Sequence, residues 1–348
     1  MLASTLASLR DIKFDLDRDS NVDFNHDFCF SRADLDAAII KTLTFFDIFD
    51  YPLTDWEIYK YLWVGESVKK AFGYNEVKNA LERGLPGTGR EQGFYFLSGP
   101  PSPPAGGFGE AIRREIVAVR KQRQIISRKK FRRARRIIKL LGTLPFIRMI
   151  AVCNSLAYDN AREDSDIDLF IITAKGKIWT ARFYAVILLK LLRLRPTAKT
   201  KKDKICLNFF ISEGSLNLQP LMIQNDIYFI YWLKQLLPIY GRPGIFLDFM
   251  KRNELAGKYI NNGAPNVFYN KRKVKNSVLL EGLKCMLEVS SGWAWLESLL
   301  KWAQIKIMPQ YLLDKAGRGT EVVINDNALK FHIDDRRAEF RDKWQQVS

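Results

Sequence analysis

Of the four aspartates in residues 152–173, VCNSLAYDNAREDSDIDLFIIT, three, Asp164, Asp166 and Asp168, cluster at the mouth of an apolar run. Side chains of a strand alternate between its faces, so in DIDLFIIT Asp166 and Asp168 share one side while Ile167 and Leu169 take the other. No Lys or Arg adjoins the pair in sequence, and two neighbouring carboxylates repel unless a cation sits between them. Carboxylate oxygens are hard ligands that suit Mg²⁺ or Mn²⁺, ions that keep waters and share the phosphate oxygens of a bound nucleotide. An EF-hand is excluded, because Leu169 stands where the loop glycine is required and the run continues as strand. Upstream, Asn154 and Ser155 fall where one strand turns into a short helix, and a hydroxyl with free backbone N–H groups there suits a phosphate. Asp164 and Ser165, in the turn before the D-x-D, join them as nucleotide contacts. Such a unit holds a triphosphate between backbone dipoles and metal, and lines up an acceptor hydroxyl with the α-phosphate.

The elements that must position these residues follow from hydrophobic spacing. FIRMIAVC, DIDLFIIT and KICLNFFIS read as buried strands, SLAYDNA as a short helix and IWTARFYAVILLKLLRL as a long one. After residue 215 the pattern turns helical and aromatic, and Trp293, Trp295 and Trp302 are expected in its core. Nearer the N-terminus, residues 33–63 spell helix, turn, helix, with Thr54 and Glu57 as a capping box opening the second helix. YNEVKNALERG is a third helix and EQGFYFLSG a short strand, the order of a winged helix. Its third helix carries Lys78 and Arg83 but also Glu76 and Glu82, so it serves either to read DNA or to dock a protein. GPPSPPAGGFG, 99–109, is a linker. The fold class expected is α+β: an extension over 1–32, a winged helix over 33–98, a linker and basic helix over 99–140, a mixed-sheet core over 141–215 and a helical domain over 216–348.

Charge singles out one of these pieces. The 348 residues carry a net +17, and between Arg113 and Lys139 thirteen Lys and Arg face one acid, Glu115, so this segment holds +12 and the remainder +5. A helix of that charge attracts RNA or DNA, with Arg128, Lys129, Lys130, Arg132, Arg133, Arg135 and Arg136 as the contacts; the bland alternative is a solvated helix that aids solubility. Four cysteines, Cys29, Cys153, Cys206 and Cys285, form no CxxC pair and read as buried free thiols, while two histidines, His26 and His332, exclude a His-based triad or metal cluster. The longest apolar helix is broken by Lys190, so the expectation is a soluble, cytoplasmic chain without a membrane partner.

NSLAYDNAREDSDIDLFIIT resembles the core motif of the polymerase-β-like nucleotidyltransferase superfamily: Gly-Ser, about ten residues, then Asp-x-Asp within an apolar strand. The wider run, with FDIFDYPLTDWEIYKYLW, GFYFL and CLNFFIS, also resembles bacterial proteins that join a winged helix to such a domain. The resemblance implies a nucleotidyltransferase-type sheet, Ser155 on the nucleotide phosphates and Asp166 and Asp168 on Mg²⁺ or Mn²⁺. Asn154 stands where the motif has glycine, and Asn208 where it has a third acid on the next strand. The activity implied is transfer of a nucleoside monophosphate from an NTP to an acceptor, RNA first, with a protein or a small molecule as further choices. The competing reading is an inactive nucleotide sensor or nucleic-acid-binding winged-helix protein.

Overall fold

The computed structural model describes residues 32–66, 71–98, 115–197, 200–262 and 272–346; His26 and Cys29 lie outside them. The chain is a mixed α+β protein with two sheets. The first unit runs α1 (Arg32–Asp47), β1 (Leu53–Thr54), α2 (Asp55–Lys60), α3 (Tyr74–Arg83), β2 (Thr88–Glu91) and β3 (Phe94–Leu97). Its three strands are antiparallel in the order β1-β3-β2. Thr54 caps α2 by accepting the Glu57 N–H while the Glu57 carboxylate accepts the Thr54 N–H, the full capping box. Gln92 and Gly93, both at positive φ, make the two-residue turn that joins β2 to β3.

The 26-residue basic helix, α4 (Ile116–Leu141), leads into the larger sheet. Along it follow β4 (Ile147–Val152), α5 (Asn154–Ala157), β5 (Ile167–Thr173), α6 (Ile178–Leu191) and β6 (Ile205–Ser212). Then come α7 (Ile227–Gln235), β7 (Leu237–Gly241), α8 (Pro243–Arg252), α9 (Leu255–Tyr259), α10 (Val278–Ser290), α11 (Ala294–Lys306) and α12 (Gln310–Lys315). The chain closes with β8 (Val322–Ile324), β9 (Ala328–Phe331) and α13 (Arg337–Gln345). The six strands lie in the order β7-β4-β5-β6-β9-β8, and only β5 and β6 run parallel. Both faces of β5 are covered, so six of its seven residues are buried and the exception is Asp168. Phe170 and Ile172 face a core shared with α7, α8 and the N-terminal unit, while Leu169 and Ile171 face one shared with α4 and α6.

Two expectations change here. The stretch after 215 is not purely helical: β7, β8 and β9 supply both edges of the sheet. LPIYG joins β4 as an edge strand, where Pro238 costs no ladder hydrogen bond on the open side, and the three- and four-residue β8 and β9 hold together only by pairing. The tryptophans expected in a core are on the surface instead, Trp293, Trp295 and Trp302 at 60%, 62% and 61% exposure. Their helices turn a polar stripe inward. Cys285 is likewise exposed, whereas Cys153 is buried and Cys206 half-buried.

Candidate metal and nucleotide site

Strand β5 begins where a loop held by α4 delivers it. Lys130, third of the basic run, is buried, and its Nζ donates to Glu163 O (3.1 Å), Ser165 O (2.7 Å) and Asp203 Oδ1 (2.7 Å). It clamps the turn that carries Asp166. One helical turn earlier, Ser127 Oγ accepts the Ala161 N–H, and Arg123 donates to Asn160 Oδ1 and to Phe49 O. The other six basic residues, Arg128, Lys129, Arg132, Arg133, Arg135 and Arg136, are exposed and share the outer side of α4. Lys130 therefore leaves the nucleic-acid-binding set by geometry and serves as a brace. A hollow of about 200 Å³ lined by Ile126, Lys129, Lys130, Arg133, Glu163 and Asp203 connects that outer side to the turn before Asp166.

At the start of β5, a carboxylate oxygen from each of Asp166 and Asp168 and the Sγ of Cys206 lie within 4.8 Å of one another. Cys206 is opposite Asp168 in the parallel pairing. The register then slips, so that Phe170 faces Phe209, and this bulge brings Asn208 to the same cluster. Burial, and next to it the Asp166 carboxylate, raise the Asp168 pKa to about 6, against hydrogen bonds from Asn154, Cys206 and Asn208 that favour its charged form. Burial and the two aspartates push the Cys206 thiol up, so it stays protonated. No ion pair involves Asp166 or Asp168 among the described residues.

The turn that faces them is formed by Asn154, whose φ of 55° is left-handed, a conformation that asparagine tolerates better than other side-chain-bearing residues. Its side chain is also engaged: Tyr228 Oη donates to Asn154 Oδ1 at 3.3 Å, and Asn154 bonds Asp168. The Cys153 N–H donates to Asp168 O at 3.3 Å, tying this turn to β5. Ser155 follows at the start of α5, half-buried, with its carbonyl accepting the Asn160 N–H at 2.8 Å. Asp164 turns to solvent with Arg162 at 3.4 Å, and Ser165 Oγ donates to Arg162 O. Geometry thus gathers Asn154, Asp166, Asp168 and Asn208 and leaves Asp164 outside.

Asp166, Asp168 and the Asn208 oxygen are hard donors that suit a divalent cation, while Cys206, the third member of the cluster, is a soft one. Two carboxylates converge without a counter-charge, and Asn208 Oδ1 is a buried acceptor with no donor. Cys206 and Tyr228 are the members that spacing alone did not single out. Strand alternation from Asn208 reaches Cys206, two residues earlier on the same face; Tyr228, on a distant helix, leaves no such signal. No family model matches the sequence, and neither a curated protein nor a solved structure matches it.

Proposed function

We infer that this protein is a divalent-cation-dependent nucleotidyltransferase that moves a nucleoside monophosphate from an NTP to an acceptor hydroxyl, RNA being the favoured acceptor. The observation that carries the reading is the convergence of Asp166 and Asp168 at the start of β5, with the orphaned Asn208 oxygen beside them and the left-handed Asn154 turn facing them. Asp166 and Asp168 would hold Mg²⁺ or Mn²⁺, which supplies charge neutralisation on the triphosphate. Asn154 and Ser155 offer backbone N–H groups and a hydroxyl to the phosphates. The acceptor oxygen bonds to the α-phosphorus as the bond to pyrophosphate breaks. The exposed stripe Arg128, Lys129, Arg132, Arg133, Arg135 and Arg136 would hold the acceptor's phosphates, reaching the site past the hollow at Lys129 and Arg133.

The N-terminal unit fits a winged helix in element order, helix-strand-helix-helix-strand-strand. Its third helix suits protein docking better than DNA reading, because its charges are already engaged: Lys78 faces Glu82, Arg83 pairs with Asp36, and Glu76 caps the Gly73 N–H. A second reading, nucleotide sensing without transfer, is favoured by one observation. The position next to Asp168 on β6 is a protonated thiol, Cys206, and Asn208 stands where the motif has a third acid, so β6 offers no carboxylate to take the acceptor's proton there.

The test is incubation with each α-labelled NTP, Mg²⁺ or Mn²⁺, and RNA or cell lysate, beside Asp166→Asn and Asp168→Asn proteins. Label on an acceptor with the parent chain alone supports transfer. Metal-dependent NTP binding with no label on any acceptor selects the sensor, and absence of NTP binding rejects both.

A further inference from the structure

Helix α10 is built inside out, and α11, which buries Leu300 and Gln304, sets a polar stripe beside its buried leucine. The only buried residue of the thirteen in α10 is a lysine, Lys284, whose Nζ donates to Ile147 O, to Gly142 O at 3.3 Å and to Tyr240 Oη at 2.9 Å. Glu281 and Glu288 flank it at helical spacing: Glu281 accepts the Tyr240 hydroxyl, and Glu288 accepts the Phe146 N–H and Arg148 Nη1, each within 2.8 Å. In α11 the same stripe is Glu297, Lys301 and Gln304. Glu297 takes the Trp179 and Thr180 N–H groups, Lys301 pairs with Asp326 and Gln304 donates to Trp179 O. With the polar stripe used for docking, the apolar one faces out. Leu279, Met286 and Val289 are 83%, 71% and 76% exposed, and the three tryptophans join them. A contiguous apolar surface of this kind costs about 25 cal/mol per Å² while it faces water, so it marks a contact.

We propose that this face lies on an anionic lipid bilayer, with α10 and α11 in the interface plane. Charge chooses this occupant. Of the three carboxylates of the two helices, Glu288 and Glu297 are engaged inward by N–H donors and Arg148, while Glu281 is exposed and accepts the Tyr240 hydroxyl and the Asn276 amide. Cations stand along the rim: Lys275 and Lys139 are exposed at the start of α10, where Asn276 and Lys284 meet the last carbonyl of α4, Gly142. Lys177 Nζ sits at Gly292 O and Trp293 O between the helices, and Lys306 is exposed at the end of α11. Leu140, 39% exposed beside Lys139, extends the apolar surface onto α4. An acidic leaflet is attracted by the exposed cations of this rim, Lys139, Lys275 and Lys306. Tryptophan is also the side chain that settles at headgroup depth, with an apolar ring and one N–H. No described helix is long and apolar enough to cross a membrane, which agrees with a face that lies on the surface. The inference is independent of the transferase reading.

The test is co-sedimentation of the full chain with phosphatidylcholine vesicles, with and without phosphatidylglycerol, and with brominated acyl chains that quench tryptophan at depth. The expected result is binding to the anionic vesicles with quenching. A Leu279→Ser/Met286→Ser/Trp295→Ser protein, whose unchanged melting curve reports intact folding, should bind at least about tenfold more weakly. Lys139→Glu/Lys306→Glu should erase the preference for the anionic lipid. Three results overturn the proposal: no binding to either vesicle, binding that the serine substitutions leave unchanged, or a dimer in sedimentation velocity that those substitutions dissolve.

Discussion

Two carboxylate-bearing regions of the described chain, the helices α10 and α11 and the start of β5, treat their acids in opposite ways. Along α10 and α11 every one has donors: Glu288 has Arg148 and a backbone N–H, and Glu297 has two N–H groups and the Thr180 hydroxyl. At the start of β5, Asp166 and Asp168 face each other with amides and a thiol and no cationic side chain. A sequence able to satisfy its glutamates so fully leaves these aspartates in mutual repulsion, and local inconsistency of that kind marks function. The acids on the helices hold structure together, whereas those at the start of β5 have no cationic partner among the described residues.

The contrast is broken most directly by neutralising the Asp166–Asp168 pair. Asp166→Asn or Asp168→Asn should lower NTP-dependent transfer by about a thousandfold while circular dichroism stays unchanged. Removing a helix carboxylate should do the reverse. Glu288→Ala leaves Arg148 and the Phe146 N–H short of an acceptor and should cost about 2 kcal/mol in urea unfolding, with label transfer preserved. Burial pulls the Glu288 pKa up, but the Arg148 and Phe146 bonds outweigh it and hold it below 4.5, so this stability is present above that pH and is lost as pH falls through the depressed value.

Asp168 has the opposite sign. Its pKa is raised from 3.8 to about 6, so the native state binds the extra proton, and stability falls as pH rises across that interval. Asp168→Asn should therefore melt higher than the parent chain above pH 6, by an amount on the order of 1–3 kcal/mol, with the gap closing toward pH 4. A parent chain that melts higher at every pH would remove the contrast. The smallest expected effect is on α4: Arg132→Gln should weaken RNA binding uniformly across sequences and reduce the salt slope by about one, measured by filter binding over a salt series.

What the sequence made legible was whatever local pattern decides. The continuous apolar runs of β4, β5 and β6, the Thr54–Glu57 box and the D-x-D alternation depend on neighbours a few residues apart, and each lies where spacing puts it. What pairing or docking decides was not legible. LPIYG continues a helical run in sequence and becomes a strand because β4 has a free edge. Lys130 is indistinguishable from its six basic neighbours until the fold sets Glu163, Ser165 and Asp203 around its Nζ. Periodicity divides α10 into two faces but does not say which one turns inward, and Tyr240, Ile147 and Arg148 decide that from elsewhere in the chain.

The joint between the N-terminal unit and the sheet has its own consequence. Phe45 stacks on Tyr231 with ring centres 3.9 Å apart, Tyr51 Oη donates to Tyr158 O at 2.6 Å, and Arg120 joins Glu57 while lying over the Tyr51 ring. Tyr158 ends the short helix that Asn154 and Ser155 begin. A displacement of α1 or α2 thus reaches the Asn154 turn through this aromatic joint. Under the proposed function, a nucleotide that shifts this turn would change the affinity of a partner on the first unit, and the partner would change nucleotide affinity by the same factor.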